Sequence, residues 1–292
     1  MGKQLAEYKG SSDYIVSDEL RNSVNIAIAL SKPLLIKGEP GTGKTMLAES
    51  IAEALDKKLL IWNIKSTTKA QEGLYVYDTV QRLYDSQFGE ANVGDIKQYI
   101  KLGKLGEAFT TDEQVVLLID EVDKADLEFP NDLLWELDQM SFHIPETKEN
   151  IAAVNRPIVI ITSNAEKELP DAFLRRCIFH YIAFPEADEM EKIIRVHHPD
   201  LEKKILDQAM ETFYMLRNIP NIQKKPSTSE LIDWLQALVV GGISPAKIKK
   251  DLPFLGVLLK KNEDLDTLLN QLYQKTQNRP QTRMNNSLNH YR

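Results

Sequence analysis

Gly38-Glu-Pro-Gly-Thr-Gly-Lys-Thr45 lies between an apolar run, Pro33-Leu-Leu-Ile-Lys37, and a helical one, Met46-Leu-Ala-Glu-Ser-Ile-Ala-Glu-Ala-Leu55. The eight residues satisfy G-x-x-x-x-G-K-[ST], and the flanking runs supply the strand before and the helix after that a phosphate-binding loop requires. Glycine lets the backbone turn with positive φ and pack close to an anion, while the first turn of the helix offers unpaired N–H groups and the positive end of its dipole. Chance would produce two glycines, a lysine and a hydroxyl at these spacings, in a chain of this length, with odds on the order of one per cent at average usage. The stretch therefore predicts a nucleoside triphosphate cradle built from Gly38, Glu39, Pro40, Gly41, Thr42, Gly43, Lys44, Thr45 and Met46. Lys44 would reach the β and γ phosphates as a point charge, and the Thr45 hydroxyl would hold Mg²⁺.

With 292 residues the chain exceeds a usual single domain, so one large α/β unit with a smaller appended one is expected. No apolar run approaches the length of a membrane span. The opening residues, Met1 to Tyr8, carry no apolar segment of a secretory signal, and Ala6 stands where a myristoylation pattern needs Ser or Thr. Cys177 is the single cysteine, so no internal disulfide can form, and a reducing cytoplasm is the expected location. A net charge of −7 argues against broad electrostatic adhesion to nucleic acid.

Outward from the loop, Ser17 caps a helix whose Leu20, Val24, Ala27 and Ile28 form one apolar stripe. Lys58 to Lys65 reads as a buried strand, and Gly73 to Gly106 as an insertion of one or two helices with loops. The tyrosines there, Tyr75 and Tyr77 among them, read as packing residues, with substrate contact as the alternative. Gln114-Val-Val-Leu-Leu-Ile-Asp-Glu121 is a continuous apolar run ending in two acids, as a buried parallel strand should be when its carboxyl edge carries ligand-binding groups. A helix is expected over Asn131 to Met140, a hairpin over Phe142 to Val154, and a second buried strand over Arg156 to Asn164. A short helix from Leu169 and a last strand over Ile178 to Phe184 complete a core expected at 1–185. Helices are expected at Glu186 to His197, Leu201 to Arg217, Ser227 to Val240, with Ser227-Thr-Ser-Glu230 as a capping box, and Leu252 to Lys275. They make a helical lid at 186–275, and 276–292 reads as a flexible polar tail with three arginines and no acid.

Phosphoryl transfer to water needs a metal-bound triphosphate, an oriented nucleophile and positive charge where the transition state becomes negative. Asp120 is the candidate to hold Mg²⁺, mostly through water, and Glu121 to polarise the attacking water. Asn164, at the end of the second buried strand, could bond the γ-phosphate or that water, or cap a turn. Arg175 and Arg176 follow a helix and precede a strand, and can be donated to a neighbouring subunit's nucleotide. Nothing around Cys177 forms a nucleophilic arrangement, and His197 and His198 lack a metal-ligand spacing.

These stretches resemble the AAA+ ATPases. Gly38 to Thr45 is similar to Walker A, Val116 to Glu121 to Walker B, Asn164 to sensor 1, and Arg175-Arg176-Cys177 to the arginine-finger segment. More narrowly, Lys32 to Thr45, Gly73-Leu-Tyr-Val-Tyr-Asp-Thr-Val-Gln-Arg-Leu83 and Leu169-Pro-Asp-Ala-Phe-Leu-Arg-Arg-Cys177 resemble the MoxR group. The resemblance implies an α/β P-loop NTPase core with a five-stranded parallel sheet and a smaller all-α lid. It implies ATP and Mg²⁺ as cofactors and a hexameric ring that hydrolyses ATP to remodel or mature a protein client, often beside a von Willebrand A domain protein. Ser229 stands where the family commonly has its sensor 2 arginine. Either Arg217 or Lys225 compensates, or lid closure reports the nucleotide weakly. A nucleic-acid motor is one alternative, disfavoured because the hairpin at 142–154 has Lys148 and no arginine. A nucleotide-gated binding module with poor hydrolysis is the other.

Overall fold

The computed structural model describes residues 7–89, 92–164 and 166–277. Ser17, in extended backbone, accepts a hydrogen bond from Leu20 N–H and so starts α1 (Asp18–Leu30). In order follow β1 (Leu34–Gly38), α2 (Lys44–Ala54), β2 (Leu59–Asn63), α3 (Ala70–Leu74), β3 (Tyr75–Tyr77), α4 (Thr79–Phe88), β4 (Ile100–Leu102), α5 (Lys104–Thr110) and β5 (Val116–Asp120). Then come α6 (Phe129–Asp132), α7 (Leu134–Gln139), the hairpin of β6 (Ser141–Ile144) and β7 (Glu149–Ala152), β8 (Ile158–Ser163), α8 (Asp171–Leu174), β9 (Ile178–Ile182) and α9 (Ala187–His197).

Five of these strands form one sheet in the order β2-β5-β8-β1-β9, every neighbouring pair parallel. Central strands of a parallel sheet are covered on both faces, which is why β5 and β8 read as unbroken apolar runs. Alternation divides their side chains between two layers. Leu34, Ile36, Val116, Leu118 and Ile160 meet Leu20 and Val24 of α1 and Leu47 and Ile51 of α2. Leu35, Leu117, Ile119, Val159 and Ile161 meet Phe109 of α5 and Phe129, Leu133 and Leu137 on the other face. Each such Leu or Ile, fully buried, contributes about 1.5–3 kcal/mol by leaving water, so the sheet and its edges are held as a rigid platform.

Two differences from the sequence reading fall in this part of the chain. The insertion at 73–106 contains, besides its helices, an antiparallel ribbon of β3 and β4 in which Tyr75 pairs with Leu102 and Tyr77 with Ile100. Tyr75 is buried, stacked on Phe142 at 6.2 Å, with its hydroxyl bonded to Glu146 Oε2 at 3.0 Å; it packs. The helix expected over 131–140 divides at Leu133 into α6 and α7, with Leu133, Leu137 and Met140 buried.

Contacts divide the chain into two compact units, Met1–Val196 and His197–Arg292, so α9 is counted with the first. The second unit, taken by itself, is helical: α10 (Lys203–Arg217), α11 (Thr228–Val240), α12 (Pro245–Asp251), α13 (Leu255–Leu258) and α14 (Asn262–Gln277). Ser227 and Glu230 make the expected capping box at the start of α11. The single helix expected over 252–275 is two, α13 and α14, parted where Leu259 leaves the helix in extended backbone. Ahead of α13, Leu252 and Phe254 take left-handed backbone on either side of Pro253, whose carbonyl accepts the Trp234 indole N–H at 2.7 Å. Helix α14 continues through Gln277, and the rest of the expected tail, 278–292, lies outside the described residues.

Candidate functional site

The phosphate loop leaves the carboxyl end of β1 and enters α2 at Gly43, which has φ 79°, a backbone that a β-carbon disfavours; the Tyr14 ring lies over it, 3.2 Å from where that carbon would be. Gly38 has no room for a side chain either, since a β-carbon would sit 2.6 Å from the Ile182 carbonyl of β9. Thr42 is buried and its hydroxyl donates to the Glu39 carbonyl at 2.9 Å, which closes the loop on itself. Met46 and Pro40 are exposed on its outer side.

Lys44 is 6% exposed, and its ammonium donates to the Gly38 and Glu39 carbonyls at 3.0 and 2.8 Å. Burial lowers its pKa from the ordinary lysine value; Asp120, Asp123, Glu121 and Glu39 nearby oppose that and favour the charged form. A buried cation ringed by loop carbonyls and by acids at a short distance is prepared to receive phosphate oxygens, which would give it the counter-charge that solvent does not.

Three strand ends converge beside it. The Thr45 hydroxyl donates to Asp120 Oδ1 and Oδ2 at 3.1 and 3.3 Å. Glu121 follows in left-handed backbone, φ 59° and ψ 52°, which turns the chain sharply off the strand. Its Oε1 accepts from Asn164 Nδ2 at 2.9 Å, and its other oxygen pairs with Lys124. Lys44, Thr45, Asp120, Glu121 and Asn164, taken from separate segments of sequence, thus share one carboxyl edge, where open α/β sheets bind ligands.

Thr45 and Asp120 offer hard oxygen donors of the kind Mg²⁺ takes, and that ion keeps several waters and uses substrate phosphates for the rest of its shell. The adjacency of one hydroxyl and one carboxylate fits that habit. Among the described residues no three of His, Cys, Asp and Glu come together as a metal set.

The remaining candidates lie elsewhere. Arg175 and Arg176 are exposed after α8. Arg176 is engaged, its Nε donating to Asp138 Oδ2 of α7 at 2.5 Å and its Nη1 to the Ala172 carbonyl at 2.9 Å. Arg175 donates its backbone N–H to the Asp171 carbonyl at 3.1 Å, and its side chain makes no hydrogen bond or ion pair among the described residues. Cys177 is partly buried, and burial, helped by Asp138, pushes its thiol up to about 12, the value of a packing residue and not of a nucleophile. In the helical unit Ser229 is exposed, while Arg217 is buried, donates to the Pro226 carbonyl and lies 6.0 Å from the Phe213 ring centre. Arg217 is thereby occupied within its own unit.

Two residues of this edge were not singled out in the sequence. Asp123 is 2% exposed, and its carboxylate accepts the backbone N–H groups of Asn164 at 3.3 Å and Glu166 at 2.9 Å. Thr162 is fully buried and bonds to both acids of the site. The available signal was that two hydroxyls end an otherwise apolar strand.

Residues 33–177 match the AAA domain of the dynein-related subfamily. The chain is 27% identical to the pachytene checkpoint protein 2 homolog of Canis lupus familiaris over 62% of this chain and 42% of that protein. It is 29% identical to the Lon protease of Mycoplasma mobile over 71% of this chain and 23% of the protease, and 36% identical to midasin of Giardia intestinalis over 30% of this chain and 2% of midasin. The match thus spans less than half the length of each of these relatives. Sheet order, phosphate loop and likeness give the first unit a P-loop α/β fold of the AAA+ type. The likenesses support an AAA+ ATPase and nucleotide binding. No helix of the described residues is long and apolar enough to cross a membrane.

Proposed function

We propose that the protein binds ATP with Mg²⁺ and hydrolyses it as a subunit of a MoxR-type ring that remodels or matures a protein client in the cytoplasm. The observation that carries the reading is the meeting of Thr45 with Asp120 and of Glu121 with Asn164 beside a buried Lys44. Lys44 and the loop N–H groups hold the triphosphate, and Thr45 with Asp120 would hold the cation. Mg²⁺ held by Thr45 and Asp120 would supply positive charge against that building on the phosphates. Glu121 orients and polarises the water, and Asn164 fixes the direction of the Glu121 carboxylate.

Arg175 or Arg176 would serve the nucleotide of the next subunit in a hexamer, and a von Willebrand A domain protein is a proposed partner. The cytoplasm suits a chain with one cysteine. A nucleotide-gated binding module is the second reading. The Lys124 ammonium on the Glu121 carboxylate favours it, because it competes with the water that the carboxylate must polarise.

Phosphate release from Mg·ATP, followed over a range of protein concentrations, tests the first reading, with a specific rate that rises as rings assemble as the expected result. Nucleotide binding without release would leave the binding module. Proteins that co-purify with Glu121→Gln and not with Lys44→Ala would identify the client class.

A further inference from the structure

We infer that Thr162 is a positioning residue that sets the two acids of the site with one hydroxyl, an inference that rests on the ATP reading above. Thr162 sits in β8, whose six residues are all buried, and is itself 0% exposed. Its Oγ1 donates to Asp120 Oδ1 at 2.6 Å and accepts the Glu121 backbone N–H at 2.8 Å. The direction of both bonds is fixed by chemistry: an ionised carboxylate only accepts and a backbone N–H only donates, so the hydroxyl proton must face Asp120. Hydroxyl-to-carboxylate bonds of this length are of the strong, charge-assisted kind.

The place of this hydroxyl in the sheet explains what it does. The β5–β8 ladder runs from Val116 opposite Ile158 to Ile119 opposite Ile161 and stops there. Two residues further on the chain turns out of the strand, and Glu121 does so in left-handed backbone. At that step the Thr162 side chain replaces the ladder, holding the Glu121 N–H that the turn would otherwise leave unpaired and, at the same time, the Asp120 carboxylate. Thr45 approaches the same carboxylate from the phosphate loop at 3.1 Å. Asp120 is therefore clamped between two threonines, one from the loop and one from the neighbouring strand. Removing the inner one frees the carboxylate to rotate and loosens the turn that aims Glu121.

The test compares Thr162→Val, which has the same shape without the hydroxyl, with Thr162→Ser, which keeps it. Three quantities are read: affinity for a fluorescent ATP analogue in EDTA, the factor by which Mg²⁺ changes that affinity, and Mg²⁺-dependent turnover of ATP. For Thr162→Val we expect unchanged affinity in EDTA, since the Thr162 hydroxyl bonds to Asp120 and to the Glu121 N–H, with a loss of about 10- to 100-fold in the Mg²⁺ concentration dependence and in turnover, the size usual for a partner of a metal-holding group. Thr162→Ser should restore both. If Thr162→Val does not fold, Thr162→Ala, which leaves space instead of a methyl group, answers by the same readings. A Thr162→Val protein that melts at a lower temperature yet keeps wild-type Mg²⁺ dependence and turnover would reduce Thr162 to packing and overturn the inference. A wild-type protein that releases no phosphate would instead refute the ATPase reading, and the Mg²⁺ effect on nucleotide affinity would still decide the role of Thr162.

Discussion

Replacing Asp123 by Asn should loosen the site from behind. The carboxylate is 2% exposed and accepts two backbone N–H groups, from Asn164 at 3.3 Å and Glu166 at 2.9 Å. An Asn of the same size has one acceptor oxygen, and its amide N–H₂ must face the other backbone N–H, donor to donor. The variant loses at least one bond to a charged group and leaves a buried donor unmet, a cost of about 1.5–3 kcal/mol. A unit near 200 residues moves about 2–4 °C per kcal/mol, so Tm should fall by about 3–12 °C. The effect on turnover has a separate cause. Asp123 holds the backbone N–H groups of Asn164 and Glu166 and should thereby aim the Asn164 amide at Glu121, and a misplacement on the order of 1 Å in such a site costs about 100-fold. Thermal unfolding followed by circular dichroism, and ATP turnover measured well below the lowered Tm, would check both. A variant with unchanged Tm, or one that melts earlier but turns over ATP at the wild-type rate, would refute the idea that Asp123 positions Asn164.

Mixing Arg176→Ala subunits with Lys44→Ala subunits should restore turnover at junctions where an intact arginine faces an intact loop, since an arginine supplied in trans is worth about 10³–10⁵ in rate. Failure of that mixture to regain activity, with recovery when Arg175→Ala replaces Arg176→Ala, would transfer the role to Arg175 and leave Arg176 as the partner of Asp138. Ser229→Arg should tighten ATP binding with the core unaltered; equal affinity in a folded variant would remove Ser229 from the sensor 2 position. Cys177, with its thiol at about 12, carries on the order of one thiolate in ten thousand at pH 8, so native protein should react with a thiol reagent far more slowly than unfolded protein, and the rate should climb with pH toward 12. Native and unfolded rates that coincide would contradict the burial that raises it.

The parts of this molecule that were legible in the sequence are those whose signal is local. The loop Gly38 to Thr45 carries its own spacing, and β5 and β8, covered on both faces, appear as apolar runs whose last residues mark the carboxyl edge. Strands of three residues, such as Tyr75–Tyr77 and Ile100–Leu102, are too short to show alternation, and their pairing spans an insertion. The break between α12 and α13 lay in Leu252-Pro-Phe254, where two apolar residues adopt left-handed backbone that their side chains do not favour. Thr162 and Asp123 looked like any strand-end hydroxyl and turn acid. Their work depends on the register that puts β8 beside β5, a fact of tertiary structure. The Arg176 pairing with Asp138 is likewise a contact between α7 and the end of α8 that neither stretch announces.

The central claim is that the carboxyl edge of this sheet binds ATP through Lys44 and breaks it down through Glu121. Equilibrium nucleotide binding and steady-state phosphate release, measured side by side on Lys44→Ala and Glu121→Gln, test it most directly. Lys44→Ala should lose affinity, whereas Glu121→Gln should bind ATP as the wild type does and turn it over at least about 100-fold more slowly, within the range of general-base assistance. A Glu121→Gln protein with near-normal turnover, or a Lys44→Ala protein with wild-type affinity, would contradict it.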